Sequence, residues 1–74
     1  MDNMIYKPLP YPQSLDSAHY YFYQHGITMT AWAKSLDISI QAVRDILSRR
    51  SVGRSGKSHT AAVALGLKKA PEYL

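Results

Sequence analysis

Between Thr28 and Leu47 the chain reads TMTAWAKSLDISIQAVRDIL, and this stretch restricts the fold more tightly than any other. Thr28 and Ser39 stand eleven residues apart, and each can accept a hydrogen bond from a backbone N–H one turn later, which marks the starts of two short helices. Ala33 lies on the first helix, where a small residue lets the second approach closely. Ile38 in the turn, with Val43 and Ile46 on the second helix, completes one apolar set that fixes the angle between the pair. Two short helices crossing at a tight turn are the geometry by which a helix is presented to the major groove of DNA. Asp37 occupies the turn, where the chain is expected to pass through a left-handed conformation. Gly adopts it without strain, and Asp is among the few other residues that visit it. An ordinary amphipathic helical hairpin uses the same spacing.

With 74 residues the chain has room for one domain, whose small core favours sharing stability with a second copy. There is no Cys, which excludes disulfides, thiolate zinc sites and cysteine nucleophiles and is compatible with a reducing compartment. Prolines and polar groups over Met1 to Tyr11 break up the apolar run a signal peptide needs, and no segment approaches the roughly 18 apolar residues of a membrane span. A cytoplasmic protein is expected. Charge is unevenly distributed: residues 1–43 hold two basic groups against three acidic ones, whereas residues 44–74 hold seven against two. A basic surface beside the second of the paired helices suits neutralisation of phosphates, although a solvated basic tail has the same composition.

Residues 1–13 form an N-terminal arm in which Pro8, Pro10 and Pro12 exclude helix and favour an extended path. Residues 14–69 are the expected domain, and Ala70 to Leu74 a tail that should fray. Ser14 is placed to cap a helix over about Leu15 to His25, with Leu15, Ala18 and Phe22 on one face and Gly26 to stop it. Tyr20, Tyr21 and Tyr23 cannot all enter so small a core, so at least one packs on the arm or on another subunit, or stacks on a base. The second helix is expected over about Met29 to Leu36, with Trp32 as a core anchor beside Ala33. The third covers about Ile40 to Ser48 and turns Val43, Ile46 and Leu47 inward.

Ile40, Gln41, Arg44 and Asp45 then face outward and are the candidate base readers. Gln41 matches adenine N6 and N7, Arg44 matches guanine O6 and N7, and Ile40 can touch a thymine methyl. Asp45 can accept from cytosine N4, hold Arg44 in position, or pair with Arg49 on the helix surface. Candidate contacts to the DNA backbone are Thr28, Ser39, Ser48, Arg49, Arg50, Arg54, Lys57 and His59. Most fall in SRRSVGRSGKSH, residues 48–59, which reads as a flexible basic loop able to clamp phosphates or enter the minor groove. Ser58 is the expected cap of a last helix over His59 to about Leu65, with Ala61, Ala62, Val63 and Leu65 apolar and Gly66 closing it. Leu67 is expected to complete the core, and Lys68 and Lys69 to favour the helix end and add phosphate contacts. His59 at the start of that helix can touch a phosphate, cap or pack.

Three segments carry a family resemblance: WA at Trp32 and Ala33, VRDILSRRSVGRSGKSH from Val43 to His59, and AAVALGLKK from Ala61 to Lys69. Over residues 26–69 the chain resembles the small phage-associated DNA-binding proteins of Mu-like prophages, a lambda-repressor-like (Cro-like) helix-turn-helix family whose members end in a GR, G, H, AV, LGLK pattern. The Pro-rich arm lies outside that pattern. The resemblance implies an all-α, lambda-repressor-like helix-turn-helix domain, which with the elements read above makes a compact four-helix fold behind an extended Pro-rich N-terminal arm. It also implies a role as a phage or prophage regulator; some similar proteins are encoded beside anti-CRISPR genes and repress their own operon.

The expectation is therefore a transcriptional repressor, a homodimer that binds an inverted repeat of double-stranded DNA near its own promoter through the helix at 40–48. Two other classes compete with it. A non-specific architectural DNA binder would keep the basic loop without an operator preference, and a protein-binding adaptor or inhibitor would use the Tyr-rich helix and the arm. An enzyme is not expected. His19, His25 and His59 have neither metal-ligand spacing nor a nucleophile motif beside them, so no metal, cofactor or catalytic residue is assigned. Gly56-Lys57-Ser58 resembles the end of a P-loop, but Ser51 stands where its first Gly belongs and the segment follows a helix instead of a strand.

Overall fold

The computed structural model describes residues 6–54 and 56–69. Within them four helices and no strand follow in order: α1 (Leu15–His25), α2 (Met29–Ser35), α3 (Ile40–Leu47) and α4 (Gly56–Ala64). Hydroxyl groups fix the first three starts. Ser14 Oγ accepts from the Ser17 N–H at 3.0 Å, Thr28 Oγ1 from that of Ala31 at 3.1 Å, and Ser39 Oγ from that of Ala42 at 3.2 Å. At α1 the bond is reciprocated, Ser17 Oγ accepting from the Ser14 N–H at 2.8 Å, so a serine does what Glu or Gln usually does at this position.

All four helices end alike. The N–H groups of Ile27, Ile38, Arg50 and Leu67 donate to the carbonyls of Phe22, Ala33, Asp45 and Ala62, at 3.0, 2.8, 2.7 and 3.0 Å. The residue before each donor is left-handed: Gly26, Asp37, Arg49 and Gly66 have φ of 64, 58, 68 and 79°. This closure satisfies carbonyls that the helix leaves without a partner and turns the chain sharply back. Gly66 also needs to be glycine for space, because a Cβ there would lie 2.6 Å from the Pro10 carbonyl oxygen.

Helix α3 packs against both α2 and α4. Of the thirteen buried hydrophobic residues among those described, six are alanines (Ala18, Ala33, Ala42, Ala61, Ala62 and Ala64), so the helices approach closely around a few large side chains. Chief among these is Trp32, fully buried, with Phe22 set edge-on to its ring at a centroid distance of 5.2 Å. The Trp32 Nε1–H donates to the Lys7 carbonyl at 2.9 Å, which pairs the one polar group of a buried indole. Residues 6–13 are free of helix, as the prolines require, and lie against the helices: Leu9 is buried, its N–H donates to the Ala64 carbonyl at 2.8 Å, and the Gln13 N–H donates to the Gly66 carbonyl at 2.7 Å. The first five residues of the arm and the tail at 70–74 lie outside the described residues.

Several boundaries differ from those read in the sequence. Helix α2 ends at Ser35 with Leu36 as its C-cap, and α3 ends at Leu47 with Ser48 as its C-cap. Helix α4 begins three residues before His59, at Gly56, whose φ of 61° turns the chain into the helix. Ser58 therefore sits inside the first turn of α4 and is not its cap. Leu65 follows α4 and is fully buried, while Leu67 is half-buried against the core.

Candidate nucleic-acid interface

Helix α3 has one buried side and one open side. Ala42, Val43, Ile46 and Leu47 are buried against α2 and α4, with Val43 wholly inaccessible. Gln41, Arg44 and Ser48 are exposed. Ile40 and Asp45 depart from the outward placement expected of them: both are half-buried, and Ile40 packs against the core. The reason is the breadth of the apolar stripe. Ala42 extends it to the side where Asp45 lies, and Ile40 stands beside Leu47 at its other margin, so α3 is covered over a wider arc than Val43, Ile46 and Leu47 alone would suggest. Asp45 is engaged by Gln41, whose Nε2 donates to Asp45 Oδ1 at 2.9 Å.

The turn between α2 and α3 is flanked by two open depressions. One, of about 380 Å³, is lined by Asp37, Ile38, Ser39, Lys57 and Thr60, and so brings the cap of α3 beside the first turn of α4. The other, of about 290 Å³, is lined by Thr30, Lys34, Asp37, Ile38 and Ile40. Ser39 and Lys57, eighteen residues apart in the sequence, thus share one surface, and an ammonium group stands on each side of the turn. Lys34 and Thr30 were not among the candidates. Their spacing of four on one helix, polar in both places, is the signal that points to a shared open face.

Arg49, Arg50, Arg54 and Lys57 are exposed, but the segment carrying them is held in place at its middle. Gly53 is buried: a Cβ there would lie 2.8 Å from Ala62 Cβ and 3.0 Å from the Ser58 carbonyl oxygen. Lys68 Nζ donates to the Gly53 carbonyl at 2.5 Å. The loop read as flexible is pinned to α4 at this point, and Lys68, read as a phosphate contact, is the pin. Arg49 opens onto a different surface, a largely apolar depression of about 420 Å³ that it shares with Leu15, Ile46, Ser51, Val52 and Leu67. His59 lies within α4, half-buried, with Nδ1 shielded from solvent and without a hydrogen-bond partner, which places packing ahead of phosphate contact for this side chain. Thr28 is exposed at the start of α2, and Ser48 Oγ donates to the Asp45 carbonyl at 3.3 Å.

Compared with family models, with curated proteins and with solved structures, the chain matches none of them. Among the described residues no helix is long and apolar enough to cross a membrane, and no cluster of His, Asp or Glu is arranged to hold a metal ion.

Proposed function

We propose that this chain is a sequence-specific double-stranded DNA-binding transcriptional regulator of the lambda-repressor-like helix-turn-helix kind, acting as a homodimer on an inverted repeat. The observation that carries the reading is the division of α3, whose buried side leaves Gln41 and Arg44 exposed on a helix capped at Ser39 and followed by exposed Arg49, Arg50, Arg54 and Lys57. Arg44 offers a forked donor to guanine O6 and N7, and Gln41 a donor and an acceptor to adenine. Ser39 and Lys57 on one side of the α2–α3 turn, with Lys34 on the other, suit phosphates flanking the groove that α3 enters. The resemblance of residues 26–69 to phage-associated regulators adds the biological role, repression of a phage or prophage operon, including its own promoter.

Fluorescence anisotropy with the DNA immediately upstream of the gene, against a scrambled duplex and at two salt concentrations, tests this. Preference for the upstream duplex by about 10³ or more, falling steeply with salt, is expected. Equal affinity for the two duplexes would instead identify a general DNA binder. A second reading, an adaptor that binds a protein partner, is favoured by Tyr20 and Tyr23, which are 58% and 81% exposed on α1 with ring centroids 6.1 Å apart. Its signature is a partner affinity that persists at high salt with no DNA binding at all.

A further inference from the structure

Gln41 and Asp45 are one turn apart on α3, and the hydrogen bond between them fixes more than their positions. A carboxylate offers only acceptors, so the Gln41 carboxamide has one favourable way round: its NH₂ group toward Asp45 Oδ1, at 2.9 Å, and its Oε1 away. An amide nitrogen carries two N–H bonds. With one given to Asp45, the second and Oε1 form a donor–acceptor edge, which matches N7 and N6 of adenine and no other base edge in the major groove. Asp45 suits this task because it is recessed. It is half-buried where Gln41 and Arg44 are exposed, and its own carbonyl accepts from the N–H groups of Arg50 and Ser51, at 2.7 and 3.2 Å, which holds the backbone under it.

We infer that Asp45 is a positioning residue: it orients the Gln41 amide so that α3 selects adenine at the base pair Gln41 faces, and it makes no base contact of its own. The inference rests on the DNA-reading function proposed above and adds the residue that makes Gln41 select adenine. It also separates the two readers, since Arg44 answers to a different base and owes nothing to Asp45.

The test is selection of duplexes from a randomised pool by the full chain and by D45A, D45N and Q41A, with thermal unfolding measured for each variant. The unaltered chain is expected to enrich an A·T pair at one position of each half-site. Q41A should weaken that preference about ten-fold or more. D45A should weaken it at the same position while leaving the other positions as they were, and D45N, whose carboxamide offers a donor as well as an acceptor and so no longer fixes which way round Gln41 stands, should weaken it at that position too. Loss of general stability alone would lower all positions together and would show as a lower unfolding temperature. Should D45A leave the adenine preference intact, or remove a cytosine preference at a different base pair, the inference is overturned while the DNA-reading function stands. Should the unaltered chain enrich no sequence, the function itself fails, and the inference with it.

Discussion

Asp37 and Arg49 hold φ of 58 and 68°, a conformation most side chains avoid because Cβ crowds the following carbonyl. Both sit where the chain leaves a helix, and both do a job that Gly26 and Gly66 do at the other two helix ends. Replacement by glycine should therefore relieve strain. D37G and R49G are each expected to raise the free energy of unfolding by about 0.5–1 kcal/mol in urea titrations. For R49G the same change removes a candidate phosphate contact, so stability should rise as DNA affinity falls and the salt slope shallows by about one. The turn at Asp37 was legible in the sequence because Asp, short and polar, tolerates this region. The one at Arg49 was not, since nothing in an arginine side chain marks a left-handed backbone. The exposure of Gln41 and Arg44 was legible from helical spacing, and that of Arg49, Arg50, Arg54 and Lys57 from the composition of the segment that follows α3. The Gln41–Asp45 bond was not, because Arg44 and Arg49 are equally plausible partners for an acid on that helix until side-chain directions are known.

Helix starts were read from hydroxyls, and the rule held where the hydroxyl is the last non-helical residue. Ser14, Thr28 and Ser39 each accept a bond from an N–H three residues on. It failed at α4. There the helix begins at Gly56, two residues before Ser58, and Ser58 is carried into the first turn. The contrast can be measured. S39A removes the cap of α3 and should cost about 1 kcal/mol of unfolding free energy, whereas S58A should change it by less than about 0.5 kcal/mol. A larger cost for S58A than for S39A in parallel denaturant titrations would contradict the assigned start of α4. The loop after α3 shows the opposite limit of composition: Arg, Ser and Gly in alternation suggested flexibility, yet Gly53 is the small residue that lets the loop touch Ala62 and receive Lys68.

At the scale of the molecule, the principal extents of 38 × 30 × 21 Å bear on how two copies would meet DNA. Half-sites of an inverted repeat read from one side of the duplex are about 34–36 Å apart, a distance of the same order as the two longer dimensions, so the proposed dimer requires two copies meeting side by side along the duplex. Light scattering at micromolar concentration is expected to give twice the chain mass of 8.3 kDa, or to give the single mass with strongly cooperative binding to the repeat. A single mass with independent binding at the two half-sites would refute the dimer. The all-helical architecture followed from caps, stops and a 3.6-residue apolar period, each visible in the sequence. The way residues 6–13 lie across α2 and the end of α4 did not, since Leu9 reaching the core and Lys7 receiving the Trp32 N–H are contacts between distant parts of the chain.

The central claim is that α3 reads sequence while the basic residues around it supply charge. It is tested most directly by titrating the unaltered chain, R44A and R54A against a selected site and a random duplex over a range of salt. R44A should lose about 1–3 kcal/mol on the selected site and little on random DNA, whereas R54A should lose similar affinity on both and shallow the salt slope. Equal losses on both duplexes for R44A would mean that α3 contributes charge and no base recognition, which contradicts the account.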